Sequence, residues 1–444
     1  FQGMGHPNHK PPFMSLVQVL FYKLMGDTNI ELAIRLPIAL GSLALLAFFP
    51  YFSQKKLGTP SWGILAGLVL ISSKGYNAIH VGKTGDHDAA LAVIMAFGLF
   101  CFYQYTVQLN RKRQLFYLAM LSLSFLLAYL TKSVMGFFFV FGFIAYAIIK
   151  GKILSILKDP AVYLAFIFLA AGVGVYHVFL DQLASSKHSL MHFQGLKQYV
   201  DIHPSQTHNH PWDYYFYRLK DSQFYPFAFL LPIGVSVAFN KNFPILRDLS
   251  LLSFLSALSF FLVISFSVTK LEWYDAALYP PLAMLTASGI YMIWRALESY
   301  LAKSVFFSPS LKYILLFLLF FFPYFWINSQ FHVYKLLYPG EKFAYIMEQI
   351  NRKLEVKKYY LAAPMGNPHV SFYTAYYNKN KDFDILLKDQ TEDFRVGDHV
   401  LVCHDEFIDA LKERYELHRA EMYDQCRFYE IKGIKEQKEA ASPQ

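Results

Sequence analysis

Lys83-Thr84-Gly85-Asp86-His87-Asp88-Ala89-Ala90-Leu91 decides how the whole chain is read. A lysine, a histidine and two carboxylates sit here between two long apolar runs. An ionised group at the centre of a bilayer helix costs about 2.5–3.5 kcal/mol on insertion scales. Such residues therefore lie at a membrane face or line a polar cavity. Asp88 opens the next apolar run, where a carboxylate meets the positive end of a helix. Two readings follow: Asp86 and Asp88 cap a helix at the water interface, or they form a reactive mouth at one membrane face.

The rest of the composition places this stretch in a membrane protein. The 444 residues are 55% hydrophobic, 18% aromatic and 16% charged, with a mean hydropathy of +0.28. Soluble domains carry about 25% charged residues. The net charge of +9 is read through its distribution, since basic residues of membrane proteins collect in cytoplasmic loops. Nucleic acid is not an expected partner. Cys101, Cys403 and Cys426 show no metal-ligand spacing, and Cys101 lies in an apolar run. The chain opens on Phe1 in a polar-aromatic stretch that reads as the middle of a loop, so an N-terminal truncation is expected.

Residues 1–30 read as part of a first external loop, with Pro11 and Pro12 ahead of an interfacial helix from Phe13 to Met25. Phe13, Leu16, Val17, Leu20, Phe21 and Leu24 share one face, and Ser15, Gln18 and Tyr22 another. Thr28-Asn29-Ile30-Glu31 has the form of a capping box. Apolar runs follow at 31–53, 61–79, 88–108, 114–130, 134–149, 160–180, 224–240, 248–267, 275–295 and 311–328, about ten candidate spans. Lys55-Lys56, Arg111-Lys112-Arg113, Lys150/Lys152/Lys158, Lys241/Arg247 and Arg295/Lys303/Lys312 fall on one side of them. Asp27, Asp86/Asp88, Lys132, the 181–223 loop, Thr269 to Asp275 and everything after 329 fall on the other. The positive-inside rule puts the first set in the cytoplasm.

The 181–223 loop holds His188, His192, His203, His208 and His210. His188-x-x-x-His192 has the spacing of two metal ligands on one helical face, but no cysteine lies near and the other histidines keep no fixed offset. Contact with an acceptor or sugar, and an ordinary solvated loop, are the other readings; no metal is expected. Residues 329–434 read as a small α/β domain. Helices are expected at Phe343 to Leu354, His369 to Tyr377 and Asp405 to Arg414, and strands at Lys358 to Ala363, Asp398 to Cys403 and 416–431. Cys403 and Cys426 are available to pair. Residues 435–444 read as a disordered tail. The expected fold class is mostly α: a polytopic membrane domain (31–328) with a small C-terminal α/β extracytoplasmic domain.

Five short motifs then occur in order along the face that carries the carboxylates. They are His9-x-Pro11-Pro12 with Lys10 inside it, Glu31-x-x-x-Arg35-Leu36-Pro37, Gly85-Asp86-x-Asp88-x-x-Leu91, Thr131-Lys132, and Lys270-x-x-Trp273-Tyr274 followed by Tyr279-Pro280-Pro281-Leu282. Over roughly residues 6–290 the chain resembles the clan-C polyprenyl-phosphate-sugar-dependent glycosyltransferases, which include the aminoarabinose transferase of lipid A and the protein O-mannosyltransferases. The resemblance implies a polyprenyl-phosphate-linked sugar as donor and a lipid, glycan or protein as acceptor. It also implies contact with membrane lipids, no cofactor, and a multi-pass position in the cytoplasmic (inner) membrane with the active site facing the periplasm.

The resemblance assigns Lys10 to the donor phosphate, with Lys83, Lys132 and Lys270 on the same face. It sets Asp88 and Asp86 in the catalytic position, and His9, His87, Glu272, Trp273 and Tyr274 at the substrate. Lys83 stands where relatives often carry arginine. The family's principal carboxylate sits upstream of the Lys-Pro-Pro motif, outside this sequence, so the general base is open between that group and Asp88. Transfer needs a base for the acceptor's proton and cations for the departing phosphate. The alternative function is a transporter or flippase of lipid-linked saccharides. Inverted repeats and midplane charges mark transporters, whereas the charged motifs here gather at one face.

Overall fold

Pro11 and Pro12 stop regular structure, and the first helix, α1 (Phe13–Met25), starts directly after them and ends at Gly26, whose φ of 68° no branched side chain would favour. The computed structural model describes residues 10–26, 29–78, 80–82, 84–183, 209–301, 311–334, 347, 356–363, 368–388, 391, 393–423 and 426–435. His9, Thr28, Lys83, His188, His192, His203 and His208, almost all of the expected 343–354 helix and nearly all of the tail lie outside them. The chain divides into two units, Pro7–Asn328 and a second made of Phe1–His6 with Ser329–Gln444.

In the first unit α1 buries Met14 and exposes Leu16, Leu20 and Leu24, an apolar stripe suited to the membrane interface. Helix α2 (Ile30–Leu57) is capped by Asn29, whose side-chain oxygen accepts from the Leu32 N–H at 3.0 Å. The cap thus sits one residue later than the Thr28 box, because it is the Asn29 side chain that reaches the third helical N–H.

Among the described residues, six helices are long and apolar enough to cross a membrane: Ile30–Leu57, His87–Val107, Arg111–Phe137, Pro160–Phe179, Pro244–Phe266 and Glu272–Tyr300. The other four expected spans are shorter helices, Ser61–Ile71, Phe139–Ile149, Phe227–Val237 and Tyr313–Ser329. Each of the first three has a local cause. Ser72, Ser73, Lys74 and Gly75 end the 61–79 run as turn residues, and Ser133 with φ 52° breaks the 134–149 run. Pro226 stands just before the start at Phe227, and a turn at Ala238–Asn240 ends the run after Val237.

Helices α4 (His87–Val107) and α5 (Arg111–Lys132) run antiparallel and separate the two kinds of connector. At the far end of α4, about 30 Å from Asp88, Arg111 forks onto Asp159 at 2.5 and 2.8 Å. Tyr105 also donates to Asp159, Lys150 donates to Asp248 at 2.8 Å, and Lys152 reaches the Thr106 carbonyl. All of these lie at the helix ends that carry the basic connectors. Polar side chains also tie the helices across the unit: Trp62 donates to Ser288 at 3.0 Å and Ser122 to the Ala165 carbonyl at 2.8 Å. A Cβ on Gly142 would lie 2.5 Å from the Leu255 carbonyl oxygen, so α6 (Phe139–Ile149) meets the Pro244–Phe266 helix backbone to backbone.

Helix α3 (Ser61–Ile71) rises only about 16 Å, and the described residues between it and His87 form turns and bends rather than regular helix. Their backbone groups find partners inside the protein. Asn77 donates to the carbonyls of Ile71 and Ser73 at 2.7 and 3.1 Å, and Gly75 N–H donates to Gln223 at 2.8 Å. Tyr76 donates to Ser42 at 2.9 Å, and Ser42 to the Gly82 carbonyl at 3.2 Å. Ser42 lies twelve residues into α2, about 18 Å along it, so the turn runs deep beside that helix.

The second unit holds a five-stranded sheet in the order β2-β1-β3-β5-β4. Its strands are β1 (Lys358–Ala362), β2 (Asp384–Lys388), β3 (His399–Val402), β4 (Tyr415–Tyr423) and β5 (Cys426–Ile434). Strand β1 pairs in parallel with β2 and β3, and β5 pairs antiparallel with β3 and β4. Side chains alternate between two cores, as a strand's period of two requires. Tyr359, Leu361, Leu401 and Phe428 meet Val370 of the helix Pro368–Asn380 on one face. Ala362, Val400, Val402 and Tyr429 meet Ile408 and Leu411 of the helix Asp405–Arg414 on the other. Cys403 and Cys426 form a disulfide beside the Val402–Arg427 register pair.

Candidate active site

Two helix ends meet where the charged stretch begins. Asp86 caps α4: its Oδ1 accepts from the His87 N–H at 2.6 Å, and its Oδ2 contacts His80 Nδ1. The Lys10 ammonium stands 3.6 Å from Oδ1. Burial opposes a charge on Asp86, but the His80 hydrogen bond and the charges of Lys10, His80 and Lys132 outweigh it. Together they hold the carboxyl well below the usual range. Gln18 on the polar face of α1 donates to the Gly85 carbonyl, and a Cβ on Gly85 would lie 2.5 Å from the Ile34 carbonyl oxygen. The glycine therefore lets the motif lie directly against α2.

Asp88 lies in the first turn of α4 and is 1% exposed. Its Oδ1 accepts from the ammonium of Lys132 at the C-terminal end of α5, and its Oδ2 has no hydrogen-bond partner among the described residues. Both charges sit at the helix end whose dipole favours them. The Lys132 ammonium also lies 4.3 Å from the centre of the Tyr274 ring. His87 turns its Nδ1 to within 3.8 Å of Asp86 and lies against the Pro11 carbonyl, while its Nε2 has no partner among the described residues.

The third wall comes from residues 269–279. Thr269 bridges to Asn209, and Glu272–Leu278 forms a 3-10 turn that leads into the long helix Tyr279–Leu301. Trp273 packs on His80 with ring centres 4.1 Å apart, and Tyr274 faces Lys132. Asp275 is 2% exposed and accepts from the Tyr279 hydroxyl at 2.8 Å. Glu272 is exposed and stands 3.5 Å from Arg218. Lys270 is not gathered with Lys10 and Lys132. It is buried, donates to the Ser267 carbonyl at 2.7 Å, and burial pushes its pKa down. The short Ser267–Lys270 connection turns the ammonium back onto its own chain.

The structure thus brings together Lys10, Asp86, His87, Asp88, Lys132, Trp273 and Tyr274. Lys83 and His9 lie outside the described residues. His80, Gln18, Arg218 and Asp275 were missed from sequence; only Gln18 carried a signal, on the polar face of α1. His210 of the histidine loop stacks on Tyr214 at 4.1 Å.

Residues 9–177 match the model of the dolichyl-phosphate-mannose-protein mannosyltransferase family. Among solved structures, ArnT from Cupriavidus metallidurans bound to undecaprenyl phosphate shares the fold with a TM-score of 0.66. The identity is 15%, over 95% of this chain and 87% of that chain. Over residues 9–177 the chain is thus similar to that family, and as a whole it has the fold of ArnT. The apo state of the same ArnT gives a TM-score of 0.58 at 16% identity, over 95% of this chain and 87% of that chain. The apo oligosaccharyltransferase of Archaeoglobus fulgidus gives 0.51 at 11% identity, over 94% and 62%. Comparison with curated protein sequences finds no match. In chemical terms the site offers two carboxylates, one with an oxygen unpartnered among the described residues, and two ammonium groups at converging helix ends. That set can accept a proton and neutralise an anion.

Proposed function

We propose that this glycosyltransferase moves a sugar from a polyprenyl-phosphate carrier to a lipid, glycan or protein acceptor on the periplasmic face of the cytoplasmic membrane. The observation that carries the reading is Asp88, a buried carboxylate with one oxygen on Lys132 and the other without a partner among the described residues. The acceptor's hydroxyl oxygen bonds to the anomeric carbon as the carbon–oxygen bond to phosphate breaks. Its proton passes to a carboxylate, and polyprenyl phosphate leaves with the bonding pair. Asp88 is the first candidate for that base, because Asp86 already has contacts to both of its oxygens. Lys10 receives the phosphate, with Lys132 beside it; Lys270 would join them by releasing Ser267. His87, Trp273 and Tyr274 line the sugar side, with Glu272 at the rim, and Lys83 and His9 keep the phosphate and substrate roles that the resemblance gives them.

The lipid-phosphate names attached to the matched family and to ArnT support the donor class. The basic connectors at the far end of α4 support the orientation. So does the Cys403–Cys426 disulfide, since disulfides persist in oxidising compartments. Protein O-mannosylation and lipid A modification are the two acceptor chemistries to try first.

The test uses the purified full chain in lipid nanodiscs with a panel of polyprenyl-phosphate sugars, reading free polyprenyl phosphate against added acceptor. Acceptor-dependent release is expected, and Asp88→Asn should lower it by about 10²–10⁴-fold. Lys10→Ala should weaken donor use more than Lys10→Arg, which keeps the charge. Passage of an intact lipid-linked saccharide across vesicles without release would instead identify a transporter.

A further inference from the structure

His80 belongs to none of the motifs, yet it sits between two of them. Its backbone takes φ 67°, a left-handed conformation that non-glycine residues adopt uncommonly and that histidine tolerates better than most. Such residues cluster where the surrounding structure fixes them for a purpose. One edge of the imidazole, Nδ1, contacts Asp86 Oδ2. Its ring packs on Trp273 at 4.1 Å between centres with an interplanar angle of 40°. The side chain keeps 35% of its surface exposed.

These contacts close a circuit. Asp86 and Asp88 share the start of α4, and Asp88 leads through Lys132 to the Tyr274 ring. Tyr274 adjoins Trp273, and Trp273 leads through His80 back to Asp86. The carboxylates therefore have two ties to the 269–274 segment, one through Lys132 and one through His80. On the reading given above, we propose that His80 is a positioning residue for the transfer reaction. It fixes the rotamer of Asp86, and with it the Asp86–Lys10 approach, and it registers Trp273 against the mouth.

Three variants separate the parts. His80→Asn keeps a donor near the Nδ1 position and a residue at ease with positive φ, but loses the ring. His80→Phe keeps a ring on Trp273 and loses the donor. His80→Gly keeps only the backbone. A misplacement of about 1 Å in a reacting constellation costs ~10²-fold. His80→Gly and His80→Phe should therefore lose roughly that factor in kcat with donor KM changed far less, and His80→Asn should recover most of it.

The decisive comparison is His80→Gly combined with Asp86→Asn. If His80 acts through Asp86, the double variant turns over about as slowly as the slower single one. Factors that multiply would overturn the proposal in favour of a merely structural histidine. A second readout needs no activity. The chain has five tryptophans, and subtracting the emission of Trp273→Phe isolates the Trp273 component. That component should change in His80→Asn, and an unchanged one would refute the His80–Trp273 contact. Should no donor support turnover in the unmodified chain, the functional reading fails while the fluorescence result still judges the placement of His80.

Discussion

Lys132→Met takes the ammonium away from Asp88 and leaves a carboxylate, 1% exposed, with neither oxygen bonded among the described residues. Removing one partner of a buried ion pair costs about 3–5 kcal/mol, because the remaining charge is uncompensated. Asp88→Asn strands the lysine instead, but more gently. The amide oxygen can still accept from Lys132, and the Tyr274 ring at 4.3 Å is worth up to ~2 kcal/mol to a desolvated cation. The double variant Asp88→Leu/Lys132→Met removes both charges, and an apolar replacement of a buried pair is often neutral or stabilising. The expected order of stability loss is therefore Lys132→Met greatest, Asp88→Asn intermediate, and the double variant least, with transfer activity low in all three. Unfolding in mixed detergent–lipid micelles, followed by circular dichroism, reads the order directly. Losses below about 1 kcal/mol for Lys132→Met, or a double variant weaker than either single one, would refute the buried-pair reasoning.

Three further outcomes follow from the contacts. The folded-state pKa of Asp86 lies below its ordinary value of 3.8, so its contribution is present above that value and is lost as pH falls below it. The stability difference between the chain and Asp86→Asn should be flat above about pH 5 and shrink from about pH 4 downward; a difference that grew with acid would contradict the assignment. Reducing Cys403–Cys426, a bridge spanning 23 residues, should destabilise the C-terminal unit by about 3 kcal/mol, seen as faster proteolysis within 356–435 under dithiothreitol. Gly85→Ala puts a methyl 2.5 Å from the Ile34 carbonyl oxygen. Overpacking of this kind costs about 1–3 kcal/mol, and it should lower turnover by more than it lowers thermal stability, because Gly85 adjoins Asp86.

Much of this was readable from residue types alone. The periodicity of Phe13–Met25, the helix Asp405–Arg414 and the strand His399–Val402 came from patterns that packing leaves intact. Strand β2 escaped because Asp384-Ile385-Leu386-Leu387-Lys388 is five residues long and flanked by charges, so β1 supplies the register it lacks on its own. The 61–79 run overshot because hydropathy does not register that Asn77 and Ser73 can end a helix inside the protein. At the site, Lys132 and Asp88 were legible as polar groups on one face, since the membrane limits where charges go. His80 and Asp275 were not. A lone histidine gives no sign of a left-handed backbone, and an aspartate among aromatics gives no sign of a tyrosine one helical turn later aiming at it. Lys270 matched its motif while its ammonium was taken by a carbonyl three residues away.

The shortness of α3 decides what must surround the chain that follows it. A spanning helix covers about 30 Å, whereas α3 gives way after about 16 Å to a turn carrying Lys74, Tyr76 and Asn77. Irregular backbone at that depth is tolerated only where protein or water surrounds it, and here Ser42, Gln223 and the turn's own amides supply the surroundings. Ser72, Ser73 and Tyr76 are buried with them, so the turn that leads from α3 toward Asp86 is enclosed by protein rather than opened to lipid.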